Sequence, residues 1–350
     1  MASAQFDAAV PVWQEFVQAH PDDIDGNINL GHSLTQLKRY SEAASAFETA
    51  AKTHPDRADL QAHLASAYLL AGDDDKADVA YKKLADSNPN QNILNNAAYE
   101  MAEHQVLLPQ ALDFAKKAAR MAEEQSQKIS LSNLGMNEVR QIQILSAYWD
   151  TLGWVLAGSS QLEEAASYLR AAWKLSQDGV VGNHLCAVYD KMHKSELAIR
   201  ACRMAAFRMP MSTKSNLSNV GSETDDVQKR LQRLTKGVAK PKAGMEGVDL
   251  VIDERTFKIP RLTQGTETAE FFVLFSADGK SKAFKVDDVK FVSGSDKLKT
   301  QAKQLKAIDF AFPSPSDGAS RFVRRGILGC YPYSGCSFVL LDPEAVHSVN

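Results

Sequence analysis

The sequence holds no unbroken apolar run of about 18 residues, so no stretch of it reads as a membrane-spanning helix. Residues 1–20 lack a basic start followed by an apolar stretch, and no secretory signal is legible there. Cysteine is scarce. Four in 350 residues do not make a disulfide framework for a chain this long. No pair has Cys-x-x-Cys spacing, which removes the usual redox and zinc signature. A phosphate loop and a Gly-x-Gly-x-x-Gly turn are also missing; "RRGILG" reads as a strand fragment. The last third has one histidine, His347, so a cysteine nucleophile there would lack a base. Neither end is basic enough for nucleic acid. Residues 1–200 carry 26 acids against 17 bases, and residues 201–350 carry 17 acids against 23 bases. This acidic front and mildly basic back suggest two different units.

What is present is a period of 34. Pro21, Pro55 and Pro89 keep that step, as do Ala9, Ala43, Ala77 and Ala111. Trp13, Phe47 and Tyr81 follow it too. Each unit reads as two amphipathic helices, with small residues where the helices meet and a proline after the second. Helices are expected near 24–37 and 41–53, 58–71 and 75–87, and 92–104 and 109–125. Two further pairs are expected over 146–176 and 179–209, the last ending at Pro210. From Ala111 to Ala165 the step is 54, which implies a 20-residue insertion; Ile129–Leu134 reads as loop and Met136–Leu145 as the start of a long helix. Residues 5–20 match only a second helix, which suggests the tail of a longer protein.

This pattern over residues 5–210 resembles the tetratricopeptide repeat family, which implies an α-solenoid with a concave binding face. On that reading Trp149, Leu152, Gly153 and Leu156 are packing ribs of a first helix, and Trp154 falls on the opposite side, toward the concave face. The expected partner groove is Asn29, His32, His63, Asn96, Glu100, Trp154, Asn183 and His184, with Ser66 and Asp150 beside them. It lacks the basic set of repeats that clamp a terminal carboxylate. His32, His63 and Glu100 lie on successive repeats, and no pair has the i, i+4 spacing of a zinc motif. No metal or cofactor is expected.

After Pro210, Ser222 and Asp225 read as a capping start, and Val227, Leu231 and Leu234 as the stripe of a helix that caps the array. The expected division is repeats and cap over 1–236, a linker over 237–248, a small α+β domain over 249–343 and a tail over 344–350. The period there drops to two. "VDLVIDERTFKIPRL", "AEFFVLFS", "VDDVKFVSG", "RFVRRGILGC" and "CSFVLLD" read as strands, "SDKLKTQAKQLKAI" as one amphipathic helix, and "ADGK" as a tight turn. Cys330 and Cys336 flank "YPYSG" and suit a disulfide across a hairpin if the chain is exported, while Cys186 and Cys202 read as core. Arg321, Arg324 and Arg325 read as a solvated edge.

"VKFVSGSDKLKTQAKQLKAIDFAFPSPSDG" resembles the C-terminal domain of TonB-type energy transducers, which implies a sheet edge open to an extended peptide. The repeats together with that domain also resemble the tail of bacterial transglutaminase-like proteins, whose catalytic domain has no counterpart here. The expected function is a non-catalytic scaffold: a peptide or helix of a partner protein in the concave groove, and a second contact through the last domain, or that domain folded back on the array by its charge. The alternatives are the substrate-recruiting tail of a transglutaminase-like or peptidase-like enzyme, and a cell-envelope assembly factor. The compartment is periplasmic if this is the tail of an exported protein and cytoplasmic otherwise.

Overall fold

A computed structural model describes residues 2–132, 134–212, 220–236, 246–315 and 318–343. The chain divides into two compact units, Met1–Ala118 and Ala119–Asn350. It has a solenoid-class array of helix-turn-helix repeats, followed by a small antiparallel sheet.

In the first unit the helices are α1 (Ala2–Ala19), α2 (Ile24–Gln36), α3 (Tyr40–Thr53), α4 (Ala58–Ala71), α5 (Asp74–Asp86) and α6 (Gln91–Glu103), with the start of α7 (Leu108–Ser126). The 34-residue step fixes the packing. Small residues on one helix admit a large residue from its pair: a Cβ on Gly31 would lie 2.5 Å from the Phe47 ring. Asn27 and Gln61 stand one period apart, and each donates its side-chain amide to the carbonyl of the proline six residues earlier, Pro21 at 3.1 Å and Pro55 at 2.9 Å. Those prolines lie in the turns after α1 and α3. Turns inside the pairs need one left-handed residue. Gly72 supplies it at φ 78°, while Lys38, Ser160 and His193 adopt φ 57–60° without being glycine.

In the second unit the helices are α8 (Met136–Gly158), α9 (Leu162–Ser176), α10 (Gly179–Lys191), α11 (Ser195–Ser212), α12 (Val220–Leu234) and α13 (Gly247–Asp253). The inserted residues lengthen α8 to 23 residues. α11 runs through Pro210 to Ser212, past the stop expected at that proline. The strands are β1 (Thr256–Ile259), β2 (Glu267–Asp278), β3 (Lys285–Gly294), β4 (Ala319–Tyr331) and β5 (Gly335–Leu340), in the order β1-β5-β4-β2-β3, all antiparallel. Residues 271–275 and 322–324 are buried without alternation, so both faces of the central strands are covered. Phe275 sits amid Phe310, Phe312 and Phe322, with ring centroids 4.9–5.0 Å away.

Two expected elements differ. "VDLVID" is helix α13 rather than strand, because Leu250 and Val251 are buried together and Gly247 meets the α11 backbone, where a Cβ would lie 2.4 Å from the Arg203 carbonyl oxygen. The single helix of residues 295–308 is a four-residue helix α14 (Asp296–Lys299) and a 3₁₀ turn over Ala302–Ala307. Leu298 and Leu305, one in each piece, are both fully buried. Residues 237–245 of the linker expected over 237–248 and the tail from residue 344 with His347 lie outside the described residues, while Gly247 and Val248 belong to α13.

Candidate functional site

The period also decides which groove residues meet. Side chains one step apart occupy the same slot on consecutive first helices, so they stand one above the other. In the first unit Ser66 donates to Glu100 at 2.7 Å, a separation of 34 residues, and Tyr81 donates to its other oxygen at 3.1 Å. Burial raises the Glu100 pKa, partly offset by these two donors. Glu100 is thus a tie between α4, α5 and α6. His63 stacks on Phe47 at 5.3 Å and 22°, and His32 meets it edge-on at 4.4 Å. Asn29, His32 and Asn96 are exposed, and His63 is half-buried.

The second unit repeats the rule. Asp150 and His184 are 34 residues apart and hydrogen-bond through Nδ1 at 2.9 Å; both are buried. Half-buried Trp154 stacks on the His184 ring at 4.3 Å and 15°, with the Lys191 ammonium 5.8 Å from its centroid. Asn183 is buried under α12: it donates to Glu223 at 2.5 Å and accepts from Arg230 at 2.6 Å. Among the described residues no group of three His, Cys, Asp or Glu side chains is placed to hold a metal ion.

Residues 34–99 match the model of the tetratricopeptide repeat family. Residues 34–99 carry tetratricopeptide repeats. No curated protein matches it. Solved structures are similar to part of the chain at low identity. YrrB, described as a tetratricopeptide repeat protein with an unusual peptide-binding site, is 14% identical, with a TM-score of 0.39 over 57% of this chain and 92% of that one. PilF of Pseudomonas aeruginosa is 18% identical, with a TM-score of 0.40 over 62% and 93%. A thermophilic tetratricopeptide repeat protein of Thermus thermophilus is 20% identical, with a TM-score of 0.40 over 59% and 100%.

Sequence reading missed the contacts by which the later helix pairs and the sheet region hold each other in the second unit. Trp173 Nε1 donates to Glu254 at 2.9 Å, and Lys174 pairs with that carboxylate at 3.1 Å. Arg208 pairs with Asp342 at 2.7 Å. Residues 1–200 are acidic and 201–350 basic in bulk, yet Lys174 of the first pairs with Glu254 of the second, and Arg208 and Asp342 both belong to the second. Local partners, not net charge, set the contact. Arg324 corrects the solvated-edge reading: it is 2% exposed and donates to the carbonyls of Lys174 and Leu341, both at 2.8 Å. Arg325 pairs with Glu270, and Arg321 with Asp287 at 2.8 Å. The cysteines form two pairs at bonding distance, Cys330–Cys336 across the β4–β5 hairpin and Cys186–Cys202 between α10 and α11. The second pair is fully buried, so it is core and cross-link at once.

The histidine pair has a pH consequence. Burial, reinforced by His32, lowers the His63 pKa from 6.5 to about 4. The unfolded chain therefore takes up this proton first as pH falls. Stability from neutral His63 is complete above pH 6.5 and drains away toward pH 4, by up to about 3 kcal/mol. His63→Phe keeps a ring on Phe47 and removes the proton site. Its urea midpoint is expected to fall less than that of the parent chain between pH 7.5 and 4.5; an equal fall in both would sink the assignment.

Proposed function

We propose that the chain is a non-catalytic scaffold that holds a peptide or helix of a partner protein against the first helices of its tetratricopeptide repeats. The observation that carries this reading is the exposed amide and imidazole set on α2 and α6. Asn29, His32 and Asn96 remain open to solvent while the neighbouring polar slots, Ser66 and Glu100, are closed on each other. Open donors and acceptors on a rigid helical surface suit peptide recognition. A photo-crosslinking residue in place of Asn29 or Asn96 is expected to capture a protein partner in cells. The same residue in place of Val79, exposed on second helix α5, is expected to capture none. Capture from position 79 alone, or from none of the three, would reject the groove.

A finer version places the chain in the cell envelope, with the sheet region making a second contact. Two features support it. Disulfides persist in oxidising compartments, and all four cysteines are paired. The outer side of β1 carries no strand partner among the described residues, which leaves backbone groups for an extended peptide, as the resemblance to TonB-type domains implies. Alkylation of the same cells before lysis is expected to add no mass to the intact chain; four added alkyl groups would exclude the oxidising compartment.

A further inference from the structure

Arg324 of β4 is a buried cation without a counter-charge of its own. It is 2% exposed, and among the described residues no carboxylate pairs with it. Its two terminal nitrogens donate to the carbonyls of Lys174 and Leu341, both at 2.8 Å. Its Nε is buried and has no hydrogen-bond partner among the described residues. Burial, and then the nearby Arg255, lower its pKa to about 9, so it stays charged at neutral pH. Carbonyl dipoles replace only part of the hydration that a buried guanidinium gives up.

The surroundings add charge of the same sign. Arg208 of α11 and Arg255, between α13 and β1, act on Arg324 together with one carboxylate, Asp342, which follows β5. Asp342 is already engaged by the other two bases, Arg208 at 2.7 Å and Arg255 at 3.0 Å. Gln177 holds the Nε atoms of both. Its carbonyl accepts from Arg208 at 2.8 Å, and its side-chain oxygen accepts from Arg255. Gln177 is the left-handed residue that ends α9 and is itself buried, so these acceptors are fixed by a helix terminus. Three guanidinium groups thus share one carboxylate. The Asp342 side chain is 36% exposed, so the cluster has one rim at solvent.

We propose that this cluster binds a small inorganic anion of halide size, such as chloride, at the Nε side of Arg324. The surplus of positive charge calls for an anion, and the unpartnered N–H gives it a donor. A guanidinium is weakly hydrated, which favours pairing it with an ion inside the protein. Burial of Arg324 sets the size: a compact ion can approach its Nε, whereas a phosphate group or a partner's carboxylate brings bulk that so closed a position does not admit. The ion is a structural ligand. It neutralises the junction at which α9 and α11 meet β4 and the end of β5, and it holds the helix pairs to the sheet region. The site is independent of the concave groove, so either can fail alone.

The test uses the full chain in urea unfolding, followed by far-ultraviolet circular dichroism. Sodium gluconate is replaced stepwise by sodium chloride at a constant ionic strength of about 0.15 M, which keeps charge screening fixed. Chloride is expected to raise the folding equilibrium constant by about tenfold across the series, along a curve that saturates, as for a ligand of the native state alone. Arg324→Met keeps an unbranched apolar stem and removes the guanidinium, and it is expected to abolish that rise. A second measurement locates the ion. In crystals grown with sodium bromide in place of chloride, anomalous scattering is expected from a bromide within about 3.5 Å of Arg324 Nε. No saturable rise, an equal rise in Arg324→Met, or no bromide at Arg324 overturns the proposal. The bromide position decides the matter where Arg324→Met does not fold.

Discussion

Trp149→Ala is expected to unfold the second unit at temperatures where Trp154→Ala leaves it folded. Trp149 is fully buried, and its Nε1 donates to buried Glu123 at 2.8 Å. Deleting a buried tryptophan costs about 3–5 kcal/mol in lost transfer and cavity energy. Removing a donor from a buried carboxylate adds about 1–3 kcal/mol. The sum approaches the whole stability of an ordinary domain. Trp154 lies four-tenths of a helical turn further round the same helix and is only half-buried, stacked on His184. Its truncation is expected to cost about 1–2 kcal/mol. Thermal melts followed by far-ultraviolet circular dichroism separate the two. A Trp149→Ala loss no larger than that of Trp154→Ala would refute the rib assignment.

Asp342→Ala is the second large effect. Three guanidinium groups crowd this carboxylate. Arg208 reaches it at 2.7 Å and Arg255 at 3.0 Å, while Arg324 lies buried beside them, its pKa lowered to about 9 by burial and then by Arg255. Without Asp342 the cations repel one another at low local dielectric. Breaking a buried pair costs about 3–5 kcal/mol. The Asp342 side chain is 36% exposed, so solvent screening trims this to about 2–4 kcal/mol. Urea unfolding at pH 7 measures it, and Arg255→Met in the Asp342→Ala background is expected to restore part of the loss. Burial pushes the Asp342 pKa up, but Arg208 and Arg255 outweigh it and hold the net value below the usual range. Its contribution is therefore present above the unfolded carboxylate pKa and disappears as pH falls through the folded value. A change below about 0.5 kcal/mol, without recovery in the double variant, would show that the cluster does not hold the sheet region.

Much of the helical array was legible because its determinants are local and repeated. The positions of Pro21 and Pro55 mark two turns, and Gly31 makes room for Phe47 on the second helix of the same pair. The same step foretells that residue 66 meets residue 100 and residue 150 meets residue 184, though the groove reading treated them as outward-facing. The covering of Asn183 was not legible, since nothing near it in sequence announces Glu223 and Arg230, 40 and 47 residues away. Nor was the fate of Arg324: alternation in β4 gives a face to its side chain but cannot say that α9 will supply a carbonyl, from Lys174, 150 residues earlier.

By itself the sequence determined a repeated two-helix unit of 34 residues, the turns at Pro21 and Pro55, and a switch to strand alternation near the end. These follow from steric and hydrogen-bonding rules that act within one or two turns of chain or recur at a constant step. Tertiary structure alone decided which polar groove side chains are consumed by one another, that "VDLVID" coils against α11, and that Lys174, Arg200 and Arg208 on the later repeats meet Glu254 and Asp342 on the region that follows. Those outcomes depend on which desolvated groups find partners at close range, and that is set by contacts between residues far apart in the chain.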